Sequence, residues 1–136
     1  MRWPLIWLRR LRVWSLTVNP NAQRGEIWKA DTGGKKHTVV IISLDSRNRS
    51  DKVDSVLVVP FGSFGGEGPT VIRMEPGETG LPEASFLKAH YIQVLPKKLL
   101  LERLPRRLSN AQLRKLVTLV NRAIDPDAPF DDPQTR

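Results

Sequence analysis

Two apolar runs, TVVIIS (Thr38–Ser43) and SVLVV (Ser55–Val59), constrain this chain more than any other feature. Both are almost continuous in β-branched residues and too short for an ordinary helix, so each reads as a strand. A strand without alternating polar residues has no face to offer water. It must be covered on both faces, either as a central strand between layers or as a barrel strand with a helix outside it. Around this pair, GEIWKA, PTVIRME and SFLKAHYIQVLP have the same β-rich character, the last reading as a fifth strand that ends at Pro96. DTGGKK, DSRNRSDKVD, GSFGGEG and PGETGLP between them are turn and loop chemistry. Several short strands at close spacing in 136 residues predict a compact, mainly β domain with an antiparallel barrel or sandwich.

The helix that such a sheet needs lies near the C-terminus. In LSNAQLRKLVTLVNRAIDP, Leu113, Leu116, Val117, Val120 and Ile124 fall on one helical face, Ser109 is a natural N-cap, and Asp125-Pro126 stops the run. This predicts an amphipathic helix laid on the sheet. Arg114, Lys115 and Arg122 fall off the apolar stripe and form a basic face.

Charge is distributed unevenly. Residues 1–23 carry four Arg and no acid, residues 24–96 carry nine charges of each sign, and residues 97–124 carry eight basic residues against one acidic. A basic C-terminal third attracts polyanions by counterion release, although a solvated basic helix surface has the same composition. The sequence divides into an arm (1–23), one domain (24–124) and an acidic, proline-rich tail (125–136). The arm, with Trp3, Trp7, Leu11 and Trp14 opposite Arg2, Arg9 and Arg12, is amphipathic if helical, and NPNAQ sets it apart as an extension ahead of the domain. Its apolar run is too short and too often broken by Arg for a membrane span or an export signal. With no cysteine and only two histidines, the chain is expected to hold no structural metal and no cofactor, and to reside in the cytoplasm.

Candidate chemistry gathers where KKH (Lys35, Lys36, His37) stands in front of the first apolar run. Histidine is the side chain best suited to proton transfer near neutral pH, and the chain has only His37 and His90. The lysines are equally what a hairpin turn after Gly33-Gly34 would carry. Ser63, in FGSFGGEG, sits in ordinary loop composition, and that loop is not a phosphate-binding signature, because no Lys-Ser/Thr follows its glycines. Trp28 reads either as a core aromatic or as a platform for a base.

In this order and spacing, RGEIW, VVIIS, VLVVPFGS, GLPEASFLKAHYIQVLPKKLL and LPRRLSNAQLRKLVTLVNRAI resemble the MazF/PemK family of toxin-antitoxin toxins over about residues 24–124. The resemblance implies a small SH3-like antiparallel barrel of the MazF/PemK/CcdB kind with a C-terminal helix. It also implies a homodimer that cuts single-stranded RNA, messenger RNA included, without metal or cofactor, under the control of a cognate antitoxin. Family members commonly place an Arg-Pro pair at the start of the second strand and a Thr just after the third; here those positions hold His37-Thr38 and Gly62-Ser63. The loop between the first two strands is also short, about Asp31 to Lys36.

The resemblance thus implies a modified site. His37 would be assisted by Lys36 and Ser63, with His90 as a second proton carrier and Lys35, Trp28, Arg47, Arg49 and Lys88 along the nucleic acid. Two other functions remain compatible with these substitutions. One is a catalytically degenerate relative that binds nucleic acid, an antitoxin or another protein; the other is a poison of a protein target, as in a related toxin fold that acts on DNA gyrase.

Overall fold

The computed structural model describes residues 21–63 and 68–127; the arm up to residue 20, amphipathic if helical, and the acidic tail beyond Asp127 lie outside them. Among the described residues seven strands form one antiparallel sheet: β1 (Glu26–Thr32), β2 (Lys35–Ile41), β3 (Ser55–Gly62), β4 (Val71–Met74), β5 (Ser85–Lys88), β6 (Gln93–Pro96) and β7 (Leu100–Arg107). Three helices among the same residues accompany it, α1 (Asp45–Arg49), α2 (Pro76–Thr79) and α3 (Asn110–Ile124), with 3-10 turns at Ala89–Tyr91 and Lys97–Leu99. The strand order is β4-β5-β3-β2-β1-β7, and β6 pairs with β3 as well. Among the described residues β4 and β7 do not pair with each other, so the coiled sheet stops short of a closed barrel.

The two apolar runs bury both faces, as their composition demands. Val40 and Ile42 of the first run and Val59 of the second join Ile27, Phe61, Ile72, Met74 and Leu87 under α3. Val39 and Ile41, with Val56 and Val58, point the other way and pack with Trp28, Ala30, Leu95 and Leu100. Strand pleating sends successive side chains to opposite faces, so a run with no polar residue feeds two cores at once.

On α3 the Ser109 side chain accepts from the Gln112 amide (3.1 Å) and the Gln112 side chain accepts from the Ser109 amide (2.8 Å), a reciprocal cap. Leu116, Leu119 and Val120 are buried, whereas Ile124, expected in the stripe, is the last helical residue and 71% exposed. Replacing fully buried Leu116 with Ala is expected to cost about 2–5 kcal/mol. No helix among the described residues is long and apolar enough to cross a membrane.

Two elements differ from the sequence reading. SFLKAHYIQVLP is not one strand: it pairs with the end of β3 as β5, turns through Ala89–Tyr91, and pairs with the start of β3 as β6. LLERLPRR, which was not among the expected strands, is the edge strand β7 against β1. Ala22, at the end of the expected linker, is buried in the second core.

Candidate active site

The β1–β2 hairpin closes through Gly33-Gly34, both at positive φ (69° and 85°), with the Gly34 amide donating to Asp31 Oδ1 at 2.9 Å. Two successive positive φ values are the conformation of the tight primed turn, which glycine adopts without strain. The turn sets the register: Thr32 faces Lys35, Asp31 faces Lys36, and Ala30 faces His37. Thr32, Lys35, Ala30 and His37 therefore share one sheet face, and Asp31 and Lys36 share the other. Thr32 and His37 are diagonal neighbours on their face, and the threonine Oγ1 is hydrogen-bonded to His37 Nδ1.

The opposite wall forms where β3 changes partners. Phe61 and Gly62 pair with Leu87 and Phe86, while Ser55–Val58 pair with Gln93–Pro96, so the turn between β5 and β6 bulges outward beside the end of β3. A cleft of about 260 Å³ results, lined by Thr32, His37, Pro60, Phe61, Gly62, Lys88, Tyr91 and Gln93. No carboxylate is among these residues. The Lys88 ammonium lies 5.6 Å from the centre of the Tyr91 ring, which is 55% exposed. The end of the Lys88 side chain lies over Gly62, where a Cβ would stand in ordinary contact with Cε at 3.4 Å and Nζ at 3.5 Å.

Of the residues singled out in the sequence, the fold brings His37 and Lys88 together in the cleft. Lys35 is exposed on the His37 face at the hairpin mouth, and Lys36 is exposed on the opposite face. Ser63 is exposed, one residue beyond the Gly62 lining. His90 stands beside the cleft, its Nδ1 hydrogen-bonded to Thr70 Oγ1 (2.8 Å) and its ring 4.5 Å from that of Tyr91.

Three residues lie elsewhere. Trp28 is only 7% exposed, packs in the second core and donates its indole N–H to Glu26 Oε1 at 3.2 Å, which corrects its assignment as a stacking platform: its faces are covered by protein. Arg47 donates to Ser55 Oγ (2.8 Å) at the start of β3, about 23 Å along that strand from Gly62 at the usual rise per residue. Arg49 is exposed on the same short helix as Arg47. Thr32, Tyr91 and Gln93 were not singled out by sequence reasoning.

Such a cleft can transfer a proton at the His37 imidazole, neutralise an anion at Lys88 and stack a planar ring on Tyr91. Those are the needs of a phosphodiester with an attached base.

Comparison with known proteins identifies the family of the chain. The profile of the family described as PemK-like, MazF-like toxin of type II toxin-antitoxin system matches residues 23–124. No curated protein sequence matches the chain. Among solved structures, an endoribonuclease in complex with its cognate antitoxin from a mycobacterial species superposes with a TM-score of 0.64 at 25% identity, covering 75% of this chain and 93% of that one. The Mycobacterium tuberculosis toxin MazF-mt6 gives 0.65 at 20% identity over 74% of this chain and 96% of that one. A MazE-MazF structure from Deinococcus radiodurans gives 0.61 at 14% identity over 74% and 91%, and these last two speak for the fold alone.

Proposed function

The chain belongs to the PemK-like, MazF-like toxins of type II toxin-antitoxin systems, and from that premise we propose that it is an endoribonuclease that cuts single-stranded RNA at the His37 cleft without a metal. One observation carries this reading: one of the chain's two imidazoles opens onto a carboxylate-free cleft beside a lysine ammonium and an exposed tyrosine ring. Its 25%-identical mycobacterial neighbour is itself an endoribonuclease.

The reaction uses the substrate's own nucleophile. His37 Nε2 takes the 2′-hydroxyl proton, the 2′-oxygen bonds to phosphorus, and the bond from phosphorus to the 5′-oxygen breaks. The products are a 2′,3′-cyclic phosphate and a 5′-hydroxyl. Charge on the non-bridging oxygens rises as the phosphorane forms, and Lys88 neutralises it, with the Ser63 hydroxyl as a further donor. Lys88 takes this part rather than Lys36, which the register puts on the opposite face. His90, held on its Nδ1 side by Thr70, returns a proton to the leaving oxygen. Tyr91 stacks the base next to the scissile bond, and Lys35 meets the flanking phosphate. DNA lacks the 2′-hydroxyl and is bound without being cut.

The active form is a homodimer held in check by a cognate antitoxin, as the mycobacterial neighbour is complexed with its own. The test is incubation of purified protein with long single-stranded RNA in EDTA, followed by end analysis. Cleavage that leaves cyclic phosphate and 5′-hydroxyl ends supports the nuclease. Intact RNA with tight, salt-dependent binding would instead identify a catalytically degenerate binding protein.

A further inference from the structure

Thr32 is the last residue of β1, and its hydroxyl is the only protein group hydrogen-bonded to the His37 ring among the described residues. The contact is built by the hairpin itself. A two-residue turn fixes Thr32 opposite Lys35, and the diagonal across the same face brings its hydroxyl to Nδ1. The structure sets a threonine hydroxyl on a histidine Nδ1 a second time, Thr70 on His90, so both histidines are held at that atom and neither has a hydrogen bond at Nε2 among the described residues.

A histidine's working nitrogen is selected by the hydrogen bond its other nitrogen makes. A threonine hydroxyl can donate or accept, so two arrangements satisfy the pair. If the hydroxyl donated to Nδ1, the neutral ring would carry its proton on Nε2 and would have no lone pair facing the cleft. If Nδ1–H donates to the hydroxyl, the neutral ring presents the Nε2 lone pair, and after taking a proton the imidazolium keeps the same bond unchanged. Only the second arrangement serves a base that becomes an acid without turning over.

We propose that Thr32 is the positioning residue of the site: its Oγ1 accepts from His37 Nδ1–H and holds the neutral imidazole in the tautomer whose Nε2 lone pair faces the cleft. The proposal rests on the assignment of His37 as the proton-transfer group, yet its primary test needs no RNA. Nitrogen-15 NMR of the imidazole in the free, full-length protein, at a pH where His37 is neutral, reports directly which nitrogen bears the proton. The wild type should show a protonated Nδ1, Thr32→Ser should preserve that pattern, and Thr32→Val should move the proton to Nε2. Circular dichroism of each variant establishes that the fold is kept.

In RNA cleavage, Thr32→Val should lower kcat by about tenfold with KM little changed, and Thr32→Ser should recover most of the loss. A wild-type proton on Nε2, or a Thr32→Val ring with its proton still on Nδ1, overturns the proposal. Failure of the nuclease reading is distinguishable, because it leaves RNA uncut in every variant while the tautomer measurement still decides the role of Thr32.

Discussion

Two lysines nine residues apart, Lys88 and Lys97, show how this molecule uses the two ends of one strand. Lys88 sits at the Gly62 end of β3 with its stem against the glycine, its ammonium toward Tyr91 and no hydrogen-bond partner among the described residues. Lys97 sits at the Ser55 end, 1% exposed, donating to the carbonyls of Ser50 (2.8 Å) and Arg47 (3.3 Å) and so closing the C-terminal end of α1. Near it Asn48 donates to the Ser43 carbonyl (2.9 Å) and accepts from the Ser43 hydroxyl (2.5 Å), and Arg47 reaches Ser55. The difference is one of spent and unspent capacity. At the Ser55 end Lys97 and Asn48 spend their hydrogen bonds on neighbouring backbone and side-chain groups and hold the fold, with Arg47 Nε the one buried side-chain polar atom left unpaired among the described residues; the ammonium of Lys88 at the Gly62 end still faces open space and can hold a ligand.

That contrast can be broken in order of effect. The largest change belongs to the open end: His37→Ala should cut the single-turnover rate of RNA cleavage by about 10²–10⁴-fold, or about 3–5 kcal/mol, with an unchanged melting curve. Next, Lys97→Ala should lower unfolding free energy in a urea titration by about 2–4 kcal/mol, because it empties buried space and strips two carbonyls of their donor. Its cleavage rate, measured where the protein is folded, should match wild type. A Lys97→Ala protein that is stable but inactive would erase the division between the two ends.

A smaller effect is expected at Lys88. Lys88→Ala should weaken RNA binding by about 1 kcal/mol and reduce the slope of log affinity against log salt by about 0.7, as loss of one phosphate contact to a single strand requires. Fluorescence anisotropy across a salt series reads both. The smallest effect is a pH dependence at the buried end. Burial pulls the Lys97 pKa below its ordinary 10.5, with Arg47 acting in the same direction and Asp51 and Asp54 opposing. Between the lowered value and 10.5 the unfolded chain binds more protons than the folded one, so stability contributed by this group rises with pH there. Denaturation in that alkaline window should therefore move in favour of wild type over Lys97→Met as pH increases.

How much of this was legible in the sequence depended on whether an element's neighbours are implied by its own pattern. The runs in β2 and β3 demanded cover on both faces and received it. Ser109 and the apolar stripe located α3 to the residue at its start. β7 escaped because an edge strand with exposed Glu102, Arg103, Arg106 and Arg107 offers no clean alternation. The break between β5 and β6 escaped because it is set by which part of β3 each piece pairs with, a tertiary fact invisible in SFLKAHYIQVLP. The site followed the same rule. His37 stood out by chemistry and Lys88 entered only through the family resemblance, whereas Thr32 looked like an ordinary hairpin residue and Tyr91 and Gln93 like strand residues. Trp28 misled because indole is equally at home against a base and in a core, and here Glu26 satisfies its N–H inside.

The proposed role of His37, removal of a proton from the substrate's own 2′-hydroxyl, can be read from single-turnover cleavage of one RNA oligonucleotide and its counterpart with a single 2′-deoxy substitution at the scissile nucleotide, with wild-type protein and with His37→Ala. Wild type should cut only the unmodified strand, and His37→Ala should cut neither at a comparable rate. Cutting of the deoxy-substituted strand at the same bond, or undiminished cutting by His37→Ala, would contradict that role.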